Sequence, residues 1–123
     1  MKKFISNYFN KLLSAWKNTW DGAKALWANE WAFRQECYAS IILTPIILLL
    51  NIDGILKLIL LLLLIFLLII ESINSAIEAI VDRISLELHP KSKIAKDIGS
   101  ATVVMAIVMN ILAWLYAFYC AFS

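Results

Sequence analysis

Glu71, Asn74, Ser75, Glu78 and Asp82 recur at one helical spacing, directly after an uninterrupted apolar run from Leu58 to Ile70. At roughly 100° per residue, all five stay within about 60° of Glu71 around a helix axis. Ile73, Ala76, Ile77, Ala79, Ile80 and Val81 fill the remaining surface. Carboxylates this close to hydrocarbon cost on the order of several kcal/mol unless they are paired, protonated or bound to a metal, so they are functional candidates. Hard oxygen donors select Mg²⁺ or Ca²⁺ over zinc or copper. Glu78, Asp82 and a second isolated acid, Glu30, suit that role. Downstream, Glu87, His89, Lys91, Lys93, Lys96 and Asp97 offer cations for phosphate and acids for ribose hydroxyls or metal. Metal and cations beside a membrane suggest phosphoryl transfer, in which catalysis is mostly positioning and charge neutralisation. That chemistry also wants a base for the attacking hydroxyl, and a carboxylate at the edge of hydrocarbon is a candidate.

The same residues have plainer readings. Acids at helical spacing also pair with lysines where a helix leaves the bilayer. His89, followed by Pro90, also suits an ordinary loop, and lysines at 91–96 also mark a plain cytoplasmic flank. Neither a Gly-x-x-x-x-Gly-Lys loop nor a kinase glycine-rich loop is present, which argues against the familiar soluble nucleotide folds. From residue types alone, the chemistry extends as far as a membrane-interfacial site able to hold a divalent metal and an anion.

The elements that must position these residues follow from composition. Hydrophobic residues make up 63% of the chain and charged residues 16%, well beyond the apolar share of a soluble domain. With three Gly and two Pro among 123 residues, turn chemistry is scarce and strand alternation absent. An all-α integral membrane protein of one domain, 1–123, is expected. A net charge of +2 without an aromatic-interleaved basic patch argues against nucleic acid. Lys2 and Lys3 would suit a secretory signal, but Asn7, Asn10 and Lys11 interrupt the apolar stretch it needs. Cys37 and Cys120 stand at far ends of their segments and carry no zinc or disulfide spacing.

Four segments are expected. Residues 4–31 form an amphipathic helix with Phe9, Leu12, Trp16, Trp20, Ala23, Trp27 and Trp31 on one face, suited to lie in the membrane interface. Residues 32–50 are a first span, interrupted by Pro45 and too short unless it starts within 32–36, and Asn51 to Gly54 make a tight turn. Residues 55–85 are a second span with an acidic end, and 97–121 a third; residues 98–122 carry no charge. Lys2, Lys3, Lys11, Lys17, Lys24 and Arg34 near the N-terminus, with Arg83, Lys91, Lys93 and Lys96 in the stretch 82–97, put both regions in the cytoplasm by the positive-inside rule.

Three stretches resemble the prokaryotic diacylglycerol kinase family across roughly residues 11–120. They are Glu71-Ser-Ile-Asn-Ser-Ala-Ile-Glu-Ala-Ile-Val-Asp-Arg83, Ala95-Lys-Asp-Ile-Gly-Ser-Ala101 and Asn29-Glu-Trp-Ala-Phe-Arg-Gln-Glu36. The third is closer to the Gram-negative diacylglycerol kinases than to the related undecaprenol kinases. The resemblance implies a homotrimeric enzyme of the bacterial inner membrane, passing the γ-phosphoryl of MgATP to diacylglycerol. By position, Glu71 matches the general base and Asn74 an essential polar residue. Glu30 and Glu78 match the acids that hold the metal–nucleotide. Lys96 and Asp97 match nucleotide contacts, with Glu87 and His89 on the adenine and ribose side. Trp20, Trp27, Arg34, Gln35, Glu36 and Ser100 match residues that either face the lipid or support the site from behind. Two further nucleotide positions depart from the family pattern: Lys11 stands where better-known members have Arg, and Asn18 replaces an aromatic residue. An undecaprenol kinase and a non-catalytic membrane assembly or pore protein are the rival readings.

Overall fold

The computed structural model describes residues 1–84, 87 and 89–123, and its described elements are four helices: α1 (Lys2–Asn29), α2 (Trp31–Leu49), α3 (Gly54–Ile84) and α4 (Pro90–Phe122). The last three are long and apolar enough to cross a membrane. Glu30 alone separates α1 from α2. Its extended backbone (φ −111°, ψ 101°) ends one helix and begins the next. The helical segment expected over 4–31 is therefore cut short, and Trp31 belongs to α2 rather than to the aromatic face of α1. The second helix also starts before the expected 32–36 window, at Trp31. Pro45 sits inside it without ending it.

Leu50 to Asp53 form the connection to α3, with Lys57 N–H donating to Asp53 O at 3.1 Å. Lys57 also folds its ammonium back onto Leu48 O at 2.8 Å, neutralising a carbonyl at the end of α2. At the other end, residue 85, the expected limit of the third segment, lies outside the described residues. The fourth helix begins at Pro90, ahead of the span expected at 97–121. The local reason is a cap: His89 Nδ1 accepts the Lys91 N–H at 3.1 Å, and Pro90 occupies the first turn, where its missing N–H costs nothing.

Cross-helix pairs fix the direction of packing. Asn110 meets Leu63, the Gly99 backbone faces Asn74, and Lys96 meets Asp82. As numbers rise along α3 they fall along α4, so the two helices are antiparallel neighbours. Ile47, Leu60, Leu64 and Ala117 form the core at the end near the 50–53 connection, flanked by Leu43, Leu56 and Trp114. The buried positions of α3 are Leu60, Leu64, Leu67, Glu71, Ser75 and Val81. From Leu60 to Ser75 these recur every three or four residues, so one seam faces the partner helices over that stretch of α3, and Val81 is buried off that line. That seam changes from leucine to Glu71 and Ser75 without leaving the interior. α1, by contrast, buries none of its residues.

Candidate active site at the acidic end of the bundle

A cleft of 560 Å³ opens between the C-terminal half of α1 and the acidic half of α3. Gly22, Ala25, Leu26, Asn29 and Glu30 line one wall; Ser72, Ser75, Ala76, Glu78, Ala79 and Asp82 line the other. Glu30 reaches this cleft because it is the corner residue. Its N–H still completes α1 by donating to Leu26 O at 2.9 Å, while its carbonyl accepts the Arg34 N–H at 3.3 Å as α2 begins. Glu78 and Asp82 reach it because they lie one helical turn apart on α3. Ser72 and Ser75 turn their hydroxyl protons back onto Leu68 O and Glu71 O, at 2.7 and 3.0 Å. Their oxygens therefore remain acceptors towards the cleft.

Glu71 is buried on the inner seam, and its charge is felt together with those of Glu36, Glu30 and Glu78. Four carboxylates from α2, α3 and the α1–α2 corner thus share one electrostatic neighbourhood. The cationic side comes from α4: Lys96 donates to Asp82 Oδ1 at 2.5 Å, bridging α3 and α4. Lys93 and Asp97 pair with each other along α4 at 2.5 Å. Asn74 points at α4. Its Oδ1 is buried without a hydrogen-bond partner and lies against Gly99, where an added Cβ would collide with it.

The structure assembles some of the expected site residues and leaves others apart. Glu30 and Glu78 share the cleft, with Lys96 held at its edge through Asp82. Glu36 instead lines a second, mostly apolar cleft of 480 Å³ between α2 and α4, with Leu64, Asn110 and Trp114. Lys11 and Asn18 lie in a groove formed by α1 alone, which includes none of the acids. Trp20 and Trp27 share a shallow patch on α1 with Lys24, whose ammonium stands 5.7 Å from the Trp20 ring centroid. Gln35 and Ser100 are exposed, as are Glu87 and His89 at the approach to α4. Arg34 does not point into either cleft: Nη1 donates to Trp27 O at 2.7 Å and to Ala28 O at 3.2 Å.

Asp82 and Gly99 are the residues whose specific parts the spacing did not reveal. Asp82 was visible as a further acid on the stripe, but its pairing with Lys96 crosses helices. Gly99 was visible as a glycine in a helix-compatible stretch, the usual mark of close packing.

Among the described residues no group of three acids, histidines or cysteines stands close enough to hold a metal by itself. Glu30 and Glu78 on the cleft walls are oxygen donors of the kind Mg²⁺ takes, one or two carboxylates at a time, while it shares the rest of its shell with waters and phosphates.

The family model for prokaryotic diacylglycerol kinase matches residues 17–118. The chain belongs to that family. Among its relatives, the Escherichia coli K12 diacylglycerol kinase is 41% identical over 106 residues, covering 86% of this chain and 87% of that protein. The Pseudomonas aeruginosa PAO1 diacylglycerol kinase is 38% identical over 104 residues, 85% of each chain. The Haemophilus influenzae diacylglycerol kinase is 36% identical over 103 residues, 84% of this chain and 87% of its own. The matched region contains both clefts and all four neighbouring carboxylates. Lys11 falls outside the residues matched by the family model.

Proposed function

We propose that this diacylglycerol kinase family member transfers the γ-phosphoryl of MgATP directly to the hydroxyl of diacylglycerol, giving phosphatidic acid. The observation that carries this is the acidic cleft, built at the end of a hydrocarbon-spanning seam, with a cross-helix lysine at its edge. Glu30 and Glu78 would hold Mg²⁺, with Asp82 close by; bound there, the ion would offset charge on the phosphate chain. Lys96, released from Asp82 or sharing it, balances the charge that develops on the transferred group. Glu71 takes the proton of the lipid hydroxyl, the hydroxyl oxygen bonds to the γ-phosphorus, and the bond from that phosphorus to the β–γ bridging oxygen breaks to release ADP. Asn74 fixes the geometry beside Glu71.

The acceptor is too apolar to leave the bilayer, so the reacting residues must stand where it ends. The cleft between α2 and α4, apolar except for Glu36 and Asn110, suits acyl chains and has Glu36, a charge neighbour of Glu71, in its lining. The cation bias of the N-terminal region and of residues 83–96 supports a cytoplasmic N-terminus in the bacterial inner membrane. α1, with its tryptophans exposed, then lies in the interface of that membrane. A homotrimer is consistent with Lys11 and Asn18 lying apart from the acids of their own copy, since a neighbouring copy can use them. Glu87, His89 and Asp97 would take the adenine and ribose side.

The test is radiolabel transfer from ATP to diacylglycerol and to undecaprenol in mixed micelles, with and without Mg²⁺. Metal-dependent labelling of diacylglycerol is expected. Faster turnover of undecaprenol would move the acceptor to that lipid, and labelling of neither would leave a non-catalytic membrane protein.

A further inference from the structure

The break between α1 and α2 leaves a specific pair of orphan carbonyls. In a continuous helix, Trp27 O and Ala28 O would accept the N–H groups of residues 31 and 32, but those residues belong to α2. Arg34 reaches back across the corner and donates Nη1 to both oxygens, at 2.7 and 3.2 Å. A guanidinium at a helix C-terminus also meets the negative end of the backbone dipole. A second tie spans the same corner: the Trp27 and Tyr38 rings meet edge to face, with centroids 5.6 Å apart. Both ties enclose Glu30 in sequence, the extended residue of this corner, whose direction follows the angle between the helices.

We propose that Arg34 is a positioning residue for Glu30, locking the α1–α2 corner so that this carboxylate faces Glu78 across the cleft, rather than a contact for the lipid. It rests on the metal-holding role given to Glu30 above. α1 is otherwise lightly held: it buries no residue, so the corner ties have little packing to assist them. Loss of the guanidinium would let α1 swing and carry Glu30 away from the opposite wall.

The experiment is Mn²⁺ binding in the presence of a non-hydrolysable ATP analogue, read by electron paramagnetic resonance on the whole protein in micelles. The variants are Arg34→Gln, Arg34→Lys, Glu30→Gln and Arg34→Gln combined with Glu30→Gln. Steady-state kinetics in diacylglycerol are measured beside them. Arg34→Gln should weaken Mn²⁺ binding roughly tenfold or more, the usual scale for removing a residue that orients a ligand. Its KM for diacylglycerol should stay within about twofold of wild type, because uniform substrate binding is untouched. In the double variant, Arg34→Gln should cause no further weakening beyond Glu30→Gln alone, since it acts only through that carboxylate.

Unchanged Mn²⁺ binding with a raised lipid KM would overturn the proposal and make Arg34 a lipid contact. Additive losses in the double variant would also overturn it. If circular dichroism shows that Arg34→Gln does not fold, Arg34→Lys decides. It keeps a cation able to donate from one nitrogen to both carbonyls, so Mn²⁺ binding at or partly below the wild-type level with an unchanged lipid KM supports the corner role, and a raised lipid KM refutes it. Wild-type protein without Glu30-dependent Mn²⁺ binding would remove the metal role and the proposal with it. Intact wild-type binding left unchanged by Arg34→Gln removes only the proposal.

Discussion

Gly99→Ala tests whether the site depends on how closely α4 approaches α3. The new Cβ would collide with Asn74 Oδ1, and the next nearest atom, Asn74 Cγ, lies 3.3 Å away, so the whole carboxamide must yield. Overpacking of this kind costs about 1–3 kcal/mol. Replacing glycine by alanine within a helix returns about 1 kcal/mol of propensity, so net destabilisation should be no more than about 2 kcal/mol. The fold then survives while Asn74 is displaced. A displacement near 1 Å beside the reacting groups lowers turnover by about a hundredfold. Stability is read from reversible unfolding in mixed micelles and turnover from radiolabel transfer to diacylglycerol, for Gly99→Ala, Asn74→Ala and the pair. Because Asn74→Ala removes the atoms that the new methyl group strikes, the double variant should be more stable than Gly99→Ala alone, yet no more active than Asn74→Ala. Wild-type turnover in Gly99→Ala, or the same stability loss whether or not Asn74 is truncated, would refute the close-approach reasoning.

Glu78→Gln and Glu71→Gln should each nearly abolish phosphoryl transfer while leaving helicity and assembly intact; wild-type turnover in either would remove it from the mechanism. Lys96→Met should raise the KM for ATP with little effect on the unfolding midpoint, because the ion pair with Asp82 is solvent-screened on both sides (side chains 43% and 53% exposed). Asn110→Leu removes Nδ2 hydrogen bonds to Leu63 O and Ala106 O but also a buried, unpartnered Oδ1. Its unfolding free energy should change by about 1 kcal/mol or less, whereas Asn110→Asp buries a charge and should cost more. His89→Ala deletes the cap of α4 and should weaken that first turn by roughly 1 kcal/mol, seen as faster amide hydrogen exchange at Lys91.

Hydropathy and spacing in the chain were enough to predict four helical segments and the acidic stripe following Ile70; the family came from resemblance of whole motifs. These signals are local: a helix repeats about every 3.6 residues whatever it packs against, and a long apolar run marks a span by length alone. The helix break at Glu30 lacked such a signal, since Asn29-Glu30-Trp31 contains neither Gly nor Pro, and the start of α4 was obscured by its lysines.

Tertiary structure decided what each polar group faces. The stripe could have paired with lysines, faced lipid or turned inward; packing against the other helices put Glu71 and Ser75 on the buried seam of α3 and left Glu78 and Asp82 to line the cleft with Glu30. The pairing of Lys96 with Asp82 and the fit of Asn74 against Gly99 join residues of different helices, and only the register between α3 and α4 brings them together. Arg34 shows the same limit most clearly. Its motif left open whether it faces the lipid or supports the site from behind, and only the break in the chain at Glu30 gave its guanidinium two bare carbonyls to bind.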